Sequence, residues 1–152
     1  MTSVLPRYRH GPVTFTVNAA ATITGGMLVE SDGASPALVR PASAASQVCL
    51  GVATTDGVGA SVSQTFTLPG SPPTVNAGTY PNFVAVDCTG VYPLTYTAAA
   101  TFGARLKCAA NGQVTPWVSG TDNAELIVGI CYEPSGVGIG AVGATRLALM
   151  GS

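Results

Sequence analysis

The sequence predicts an all-β fold, a compact barrel or sandwich of short strands, from three observations. Helix formers are scarce, with one Lys, three Glu and three Gln in 152 residues, while Val and Thr abound, and β-branched side chains suit a pleated, half-buried surface. Apolar and hydroxyl side chains alternate with period two in short runs, the spacing of a strand with one buried face. Nineteen glycines and eleven prolines punctuate these runs, as in barrels and sandwiches with frequent tight turns.

Taken in order, residues 12–17 (Pro-Val-Thr-Phe-Thr-Val) place Val13, Phe15 and Val17 on one face and the threonines on the other. Similar strands are expected at 26–30, 48–54, 62–68, 83–88, 106–108, 126–133 and 144–150. Turn pairs separate them: Asp32-Gly33, Asp56-Gly57, Pro69-Gly70, Thr89-Gly90, Asn111-Gly112 and Ser135-Gly136. Residues 41–46 predict a turn or two of helix, because Pro41 suits a first helical position and alanine favours helix. Residues 69–81, with Pro72, Pro73, Asn76 and Gly78, follow neither period and predict an exposed loop between two halves.

Those halves are suggested by a shift of 78 residues. It lays Ala20-Ala21 on Ala98-Ala99, Gly25 on Gly103, Leu28 on Leu106, and Leu50-Gly51-Val52 on Val128-Gly129-Ile130. The expected organisation is an N-terminal arm, 1–12, followed by a single β domain, 13–152, with an internal repeat at about 19–60 and 97–138. Chance matching in a chain rich in Ala, Gly and Val is the alternative. In a real repeat Gly51 and Gly129 sit mid-strand, where glycine marks a bulge, a corner or a close backbone approach.

Only 9% of residues are charged and the formal net charge is −1, which offers no general footprint for nucleic acid or an anionic membrane. The most apolar stretch, 137–150, is broken by Gly138, Gly140, Gly143 and Arg146, short of the ~18 uninterrupted apolar residues of a spanning helix. Arg7 and Arg9 have no apolar core behind them, so no signal peptide is expected, and synthesis in the cytoplasm is. Cys49, Cys88, Cys108 and Cys131 form no CxxC pair and have no histidine companions, so no zinc site is expected. Free thiols acting as small buried hydrophobes are expected in place of disulfides.

The chain holds few candidates for catalysis. The single histidine, His10, precedes the first convincing strand, where a nucleophile and base are hard to preorganise. Glu30 and Asp32 share a face if the strand reaches both, the geometry of an acid–base pair, but Asp32-Gly33 is a turn signal. Asp56 and Asp122 have the same loop reading. The glycines at 136, 138, 140 and 143 lack the Lys-Ser or Lys-Thr of a phosphate loop. The sequence therefore predicts no enzyme, no metal and no cofactor. Tyr8, Tyr80, Tyr92, Tyr96, Tyr132 and Trp117 are either interface anchors or ordinary core fillers.

Residues 19–29 (Ala-Ala-Ala-Thr-Ile-Thr-Gly-Gly-Met-Leu-Val), 49–57 (Cys-Leu-Gly-Val-Ala-Thr-Thr-Asp-Gly), 104–107 and 111–116 resemble the small capsid decoration, or cement, proteins of tailed bacteriophages. The likeness spans about residues 13–150 and rests on patterns of small residues; a longer segment at 69–81 and the basic arm depart from it. The resemblance implies a structural protein on the outside of an assembled head, clamping neighbouring major capsid subunits. That places it in the virion, after synthesis in the host cytoplasm, as a trimer or a monomer. Alternatives are a phage tail or head-fibre component, a surface adhesin, or a carbohydrate-binding β module, for which the single Trp117 is poor support.

Charge placement adds a docking expectation. Arg7 and Arg9 precede the first acid, Glu30, while residues 13–152 carry four basic and seven acidic groups. With Pro6 and Pro12 and no apolar period, the arm is expected to be flexible until it meets a partner. Arg7, Tyr8, Arg9 and His10 are its candidate capsid-binding residues, two guanidiniums for carboxylates around an aromatic anchor.

Overall fold

The computed structural model describes residues 12–33, 38–59, 63–66, 75–79 and 82–148. In chain order its strands are β1 (Val13–Val17), β2 (Thr22–Ile23), β3 (Leu28–Ser31), β4 (Leu38–Pro41), β5 (Cys49–Ala53), β6 (Gly57–Val58), β7 (Ser63–Phe66) and β8 (Val75–Thr79). They continue as β9 (Phe83–Asp87), β10 (Val91–Thr95), β11 (Arg105–Cys108), β12 (Val114–Pro116), β13 (Ile127–Cys131) and β14 (Val142–Leu147). Among the described residues the helical pieces are two 3-10 turns, Ala110–Gly112 and Ala124–Leu126. The all-β expectation holds.

Five strands close a barrel in the order β1-β4-β3-β5-β9. Five more form a sheet in the order β10-β14-β13-β11-β12, whose edges meet at a parallel bridge between Tyr96 and Val114. The two units repeat the same ladder. Leu28↔Val52 and Val29↔Gly51 match Arg105↔Ile130 and Leu106↔Gly129, and both ladders slip directly afterwards, between Val29 and Glu30 and between Leu106 and Lys107. Val52↔Asp87 and Ala53↔Val86 match Ile130↔Arg146 and Cys131↔Thr145. The parallel pair Val17↔Val39 matches Tyr96↔Val114.

The glycine equivalence at 51 and 129 stands, but the preceding strand aligns one residue away from the expected register. Gly103 corresponds to Gly26 rather than Gly25: the Gly26 N–H donates to Ala53 O and the Gly103 N–H to Cys131 O, each at 2.8 Å, with φ of +89° and +78°. Leu106 accordingly matches Val29, not Leu28. A fixed offset misses this because connections between the paired strands differ in length by a residue or two.

The first unit carries an insertion. Val17 N–H donates to Asn82 O at 2.8 Å and Tyr96 N–H to Ala141 O at 2.9 Å, so 82 matches 141, whereas Gly57, paired with Ile23, matches Val137, bridged to Ala100. The β7–β8 hairpin lies in the added stretch. Residues 75–79, expected as loop, therefore form a strand, because backbone pairing with β7 needs no side-chain period.

The expected helix at 41–46 does not form. Pro41 ends β4, and the amides that would begin a helix bond elsewhere: Ala42 N–H to Leu28 O, Ser43 N–H to the Glu30 carboxylate and Ala45 N–H to Cys108 O, with Ala45 at φ +55°. Tertiary hydrogen bonds override alanine's propensity here.

Val17, Ile23, Val29, Val39, Ala53, Val84 and Val86 fill the first barrel. Leu94, Tyr96, Leu106, Val114 and Cys131 fill the second unit, where the Tyr96 hydroxyl meets the Thr145 hydroxyl at 2.7 Å. Leu28, Ala42 and Val52 lie on the outside of the first barrel yet are 0%, 0% and 1% exposed, because they pack into the second unit's cluster. Burying side chains the size of Leu28 and Val52 stabilises the contact by about 1.5–3 kcal/mol each. Ala45 N–H to Cys108 O and Gly112 N–H to Ala42 O, both 2.9 Å, fasten the backbones across it.

Candidate interaction surface

The carboxylates expected as possible acid–base partners are committed to structure. Glu30, on β3, is 1% exposed and accepts from Arg40 Nε at 2.8 Å, Ser43 N–H at 3.0 Å and Ser43 Oγ at 2.9 Å. Burial pushes its pKa up, but the hydrogen bonds from Ser46, Ser43 and Arg40 outweigh it and hold the carboxyl below its ordinary value. Asp32 does lie beside it, yet the two share Arg40, with Asp32 at 3.8 Å and also accepting from Asn18 Nδ2 at 2.8 Å. Asp56 accepts from Gly25 N–H at 2.7 Å, and Asp122 from Lys107 Nζ at 2.5 Å and Val118 N–H at 2.8 Å. Asp87 takes the Tyr92 hydroxyl at 2.5 Å; the bond lowers Asp87 and pushes Tyr92 up to about 12.

Thiols follow expectation in part. Cys108 and Cys131 are buried and Cys49 half-buried, but Cys88 is exposed at the end of β9. The Cys49 and Cys108 thiols act on each other between the two units: Cys108 lowers Cys49, and Cys49 together with burial raises Cys108. Among the described residues no three His, Cys, Asp or Glu side chains gather as a metal site. Gly136 and Gly140, at φ +75° and +73°, serve turns around the Ala100↔Val137 bridge. The candidate capsid-binding residues Arg7, Tyr8, Arg9 and His10 lie outside the described residues, as does Tyr80.

Surface chemistry concentrates on the second unit. One feature is apolar: the exposed Phe102 and Tyr132 rings lie 5.9 Å apart, and elsewhere on the same unit Ile139 and Val142 are 76% and 63% exposed. The other is a row across the outer face of the sheet. Arg105 pairs with Ile130, Ile130 with Arg146, and Arg146 with Val91. Directly paired residues point to the same side of a sheet, and the neighbours Leu106, Cys131, Thr145 and Leu147 point inward. Trp117 extends the row, its N–H bonding Arg105 O at 2.8 Å. The Arg105 guanidinium sits 5.5 Å from the Trp117 ring centroid, and Trp117 Nε1 donates to Asn123 O at 2.9 Å, which fixes the ring. Sequence reasoning missed this row because its members lie 91, 105, 117, 130 and 146 along the chain; only the strand pairing, aligned through the repeat, brings them together.

No family model matches the chain, and no curated protein does. Among solved structures it is similar to the N base of head fiber gp8.5 in bacteriophage phi29, with a TM-score of 0.59 and 15% identity, covering 93% of this chain and 98% of that one. The likeness is one of fold. It extends over nearly the whole of both chains, so it includes both barrel units rather than one.

Proposed function

We propose that the chain is a structural component of a phage head, binding the head's outer surface. The observation that carries the reading is the end-to-end fold likeness to a phage head-fibre base, joined by the resemblance of residues 13–150 to capsid decoration proteins. The finer role proposed is decoration, clamping neighbouring major capsid subunits without catalysis, with the arm residues Arg7, Tyr8, Arg9 and His10 as one contact. The neighbour's description favours a second reading, the base of a head fibre.

Purified virions test the reading. The chain is expected by mass spectrometry in intact particles, labelled from outside by antibody, and its absence from particles made by the phage that encodes it would exclude a virion role. Copy number separates the two roles, since decoration requires numbers comparable with the capsid lattice and fibre bases require far fewer. Heads lacking the chain should also disrupt at lower temperature if it clamps subunits, and at an unchanged temperature if it only carries a fibre.

A further inference from the structure

We propose that the row Trp117, Arg105, Ile130, Arg146 and Val91 is the face by which this chain grips a carboxylate-bearing surface of the head. The inference rests on the head-binding reading and specifies its partner chemistry. It comes from comparing the two barrel units with each other. In the first, the equivalent row is Ala42, Leu28, Val52 and Asp87, and its first three members are buried under the second unit. This face of the barrel is thus already a docking face once in the molecule.

In the second unit the same face has changed chemistry. Leu28 is replaced by Arg105, Ala42 by Trp117, Val52 by Ile130 and Asp87 by Arg146. A second barrel with the chemistry of this one does not fit such a face, because two guanidiniums would lose water without partners. A surface with carboxylates does. Of the described cations, Arg40 and Lys107 are ion-paired, and Arg105 and Arg146 form no ion pair among the described residues. One strand separates them, which places their backbones roughly 9–10 Å apart. The cation–π contact with Trp117, 5.5 Å to the ring centroid, holds Arg105 on this face, and its exposed guanidinium can bond a carboxylate with two parallel hydrogen bonds. Ile130 between the arginines, half-buried, and Val91, 48% exposed, supply apolar contact that a partner would dehydrate.

The test uses the full chain and heads of the encoding phage prepared without it, with binding followed by co-sedimentation over a salt series. Arg105→Glu combined with Arg146→Glu should weaken binding about 100-fold at moderate salt while leaving the unfolding midpoint unchanged, since both side chains are exposed. Arg105→Lys should lose about tenfold, because the charge stays and the planar two-pronged donor does not. Wild-type affinity in the double variant overturns the inference and leaves the head-binding reading intact. Loss of binding confined to Arg7→Glu and Arg9→Glu also overturns it, in favour of the arm. Failure of the unmodified chain to bind heads removes the reading itself, and the inference with it. Self-association of the unmodified chain that the double variant abolishes would assign the row to a second copy and overturn the proposed partner.

Discussion

Gly51 and Gly129 hold equivalent places in the two ladders, and neither has room for a side chain. A Cβ on Gly51, at φ +151°, would lie 2.2 Å from Asp87 O, and one on Gly129 would lie 2.5 Å from Arg146 O. Both obstacles are backbone of the neighbouring strand, which cannot yield without breaking the ladder. Gly51→Ala and Gly129→Ala should each cost about 3 kcal/mol or more in urea unfolding. Gly138→Ala meets nothing within 4 Å at an ordinary φ and should stay within about 0.5 kcal/mol. Glu30 supplies the acid dependence. Its folded pKa lies below the ordinary 4.5 of a glutamate, so the unfolded chain binds more protons as pH falls from 4.5, and the stability Glu30 contributes, fully present above that pH, is lost as pH drops through the folded pKa. Glu30→Gln brings an amide donor against the Ser43 N–H, should cost about 2 kcal/mol at pH 7, and should flatten the stability–pH slope below 4.5.

Strands whose side chains alternate were legible in the sequence, and strands defined only by their partners were not. The run at 12–17 shows its buried face in Phe15 and Val17, and β1, β5, β9, β13 and β14 all overlap strands expected from period and turn residues. In contrast β4 and β12 each end in a proline, Pro41 and Pro116, and β10 contains Pro93, so local rules point away from strand there. The repeat was legible at Gly51 and Gly129 and slipped by one at the adjacent pair Gly25-Gly26, where either glycine can be laid on Gly103 in the sequence. Of the site, Arg105 and Trp117 were visible as residues, but their alignment with Arg146 depends on pairing across β11, β13 and β14. The insertion gives an element-level expectation. Replacing residues 60–81 by the single residue Gly140 of the second unit keeps the ends that bond at Gly59 and Asn82. The shortened chain should fold with strand content reduced only by β7 and β8 in circular dichroism, and loss of cooperative unfolding would show that the hairpin is needed to close the first barrel.

At the scale of the whole molecule, one face occurs twice with opposite chemistry, and that difference decides how the barrels behave. Leu28, Ala42 and Val52 join the first barrel to the second unit, with Gly112 so close that a Cβ on it would lie 2.6 Å from Leu28 O. Both units should therefore unfold together in one transition. Leu28→Arg installs in the first barrel the residue that Arg105 supplies in the second. There the guanidinium would be buried beside Val52 with its water stripped away, a loss of about 3 kcal/mol or more concentrated at the contact. The barrel interior, filled by Val17, Val29, Val39 and Val84, does not touch that change directly. The expected outcome is separation: two calorimetric transitions in place of one, with exchange protection retained by the amides of β1 and β9 and lost at Ala45 and Gly112, whose N–H groups cross the contact. The mirror substitution, Arg105→Leu, falls on an exposed position and should leave the unfolding free energy within about 0.5 kcal/mol. Equal destabilisation by the two would mean that the rows are not used differently, and a single unchanged transition in Leu28→Arg would mean that the barrels cohere through other contacts.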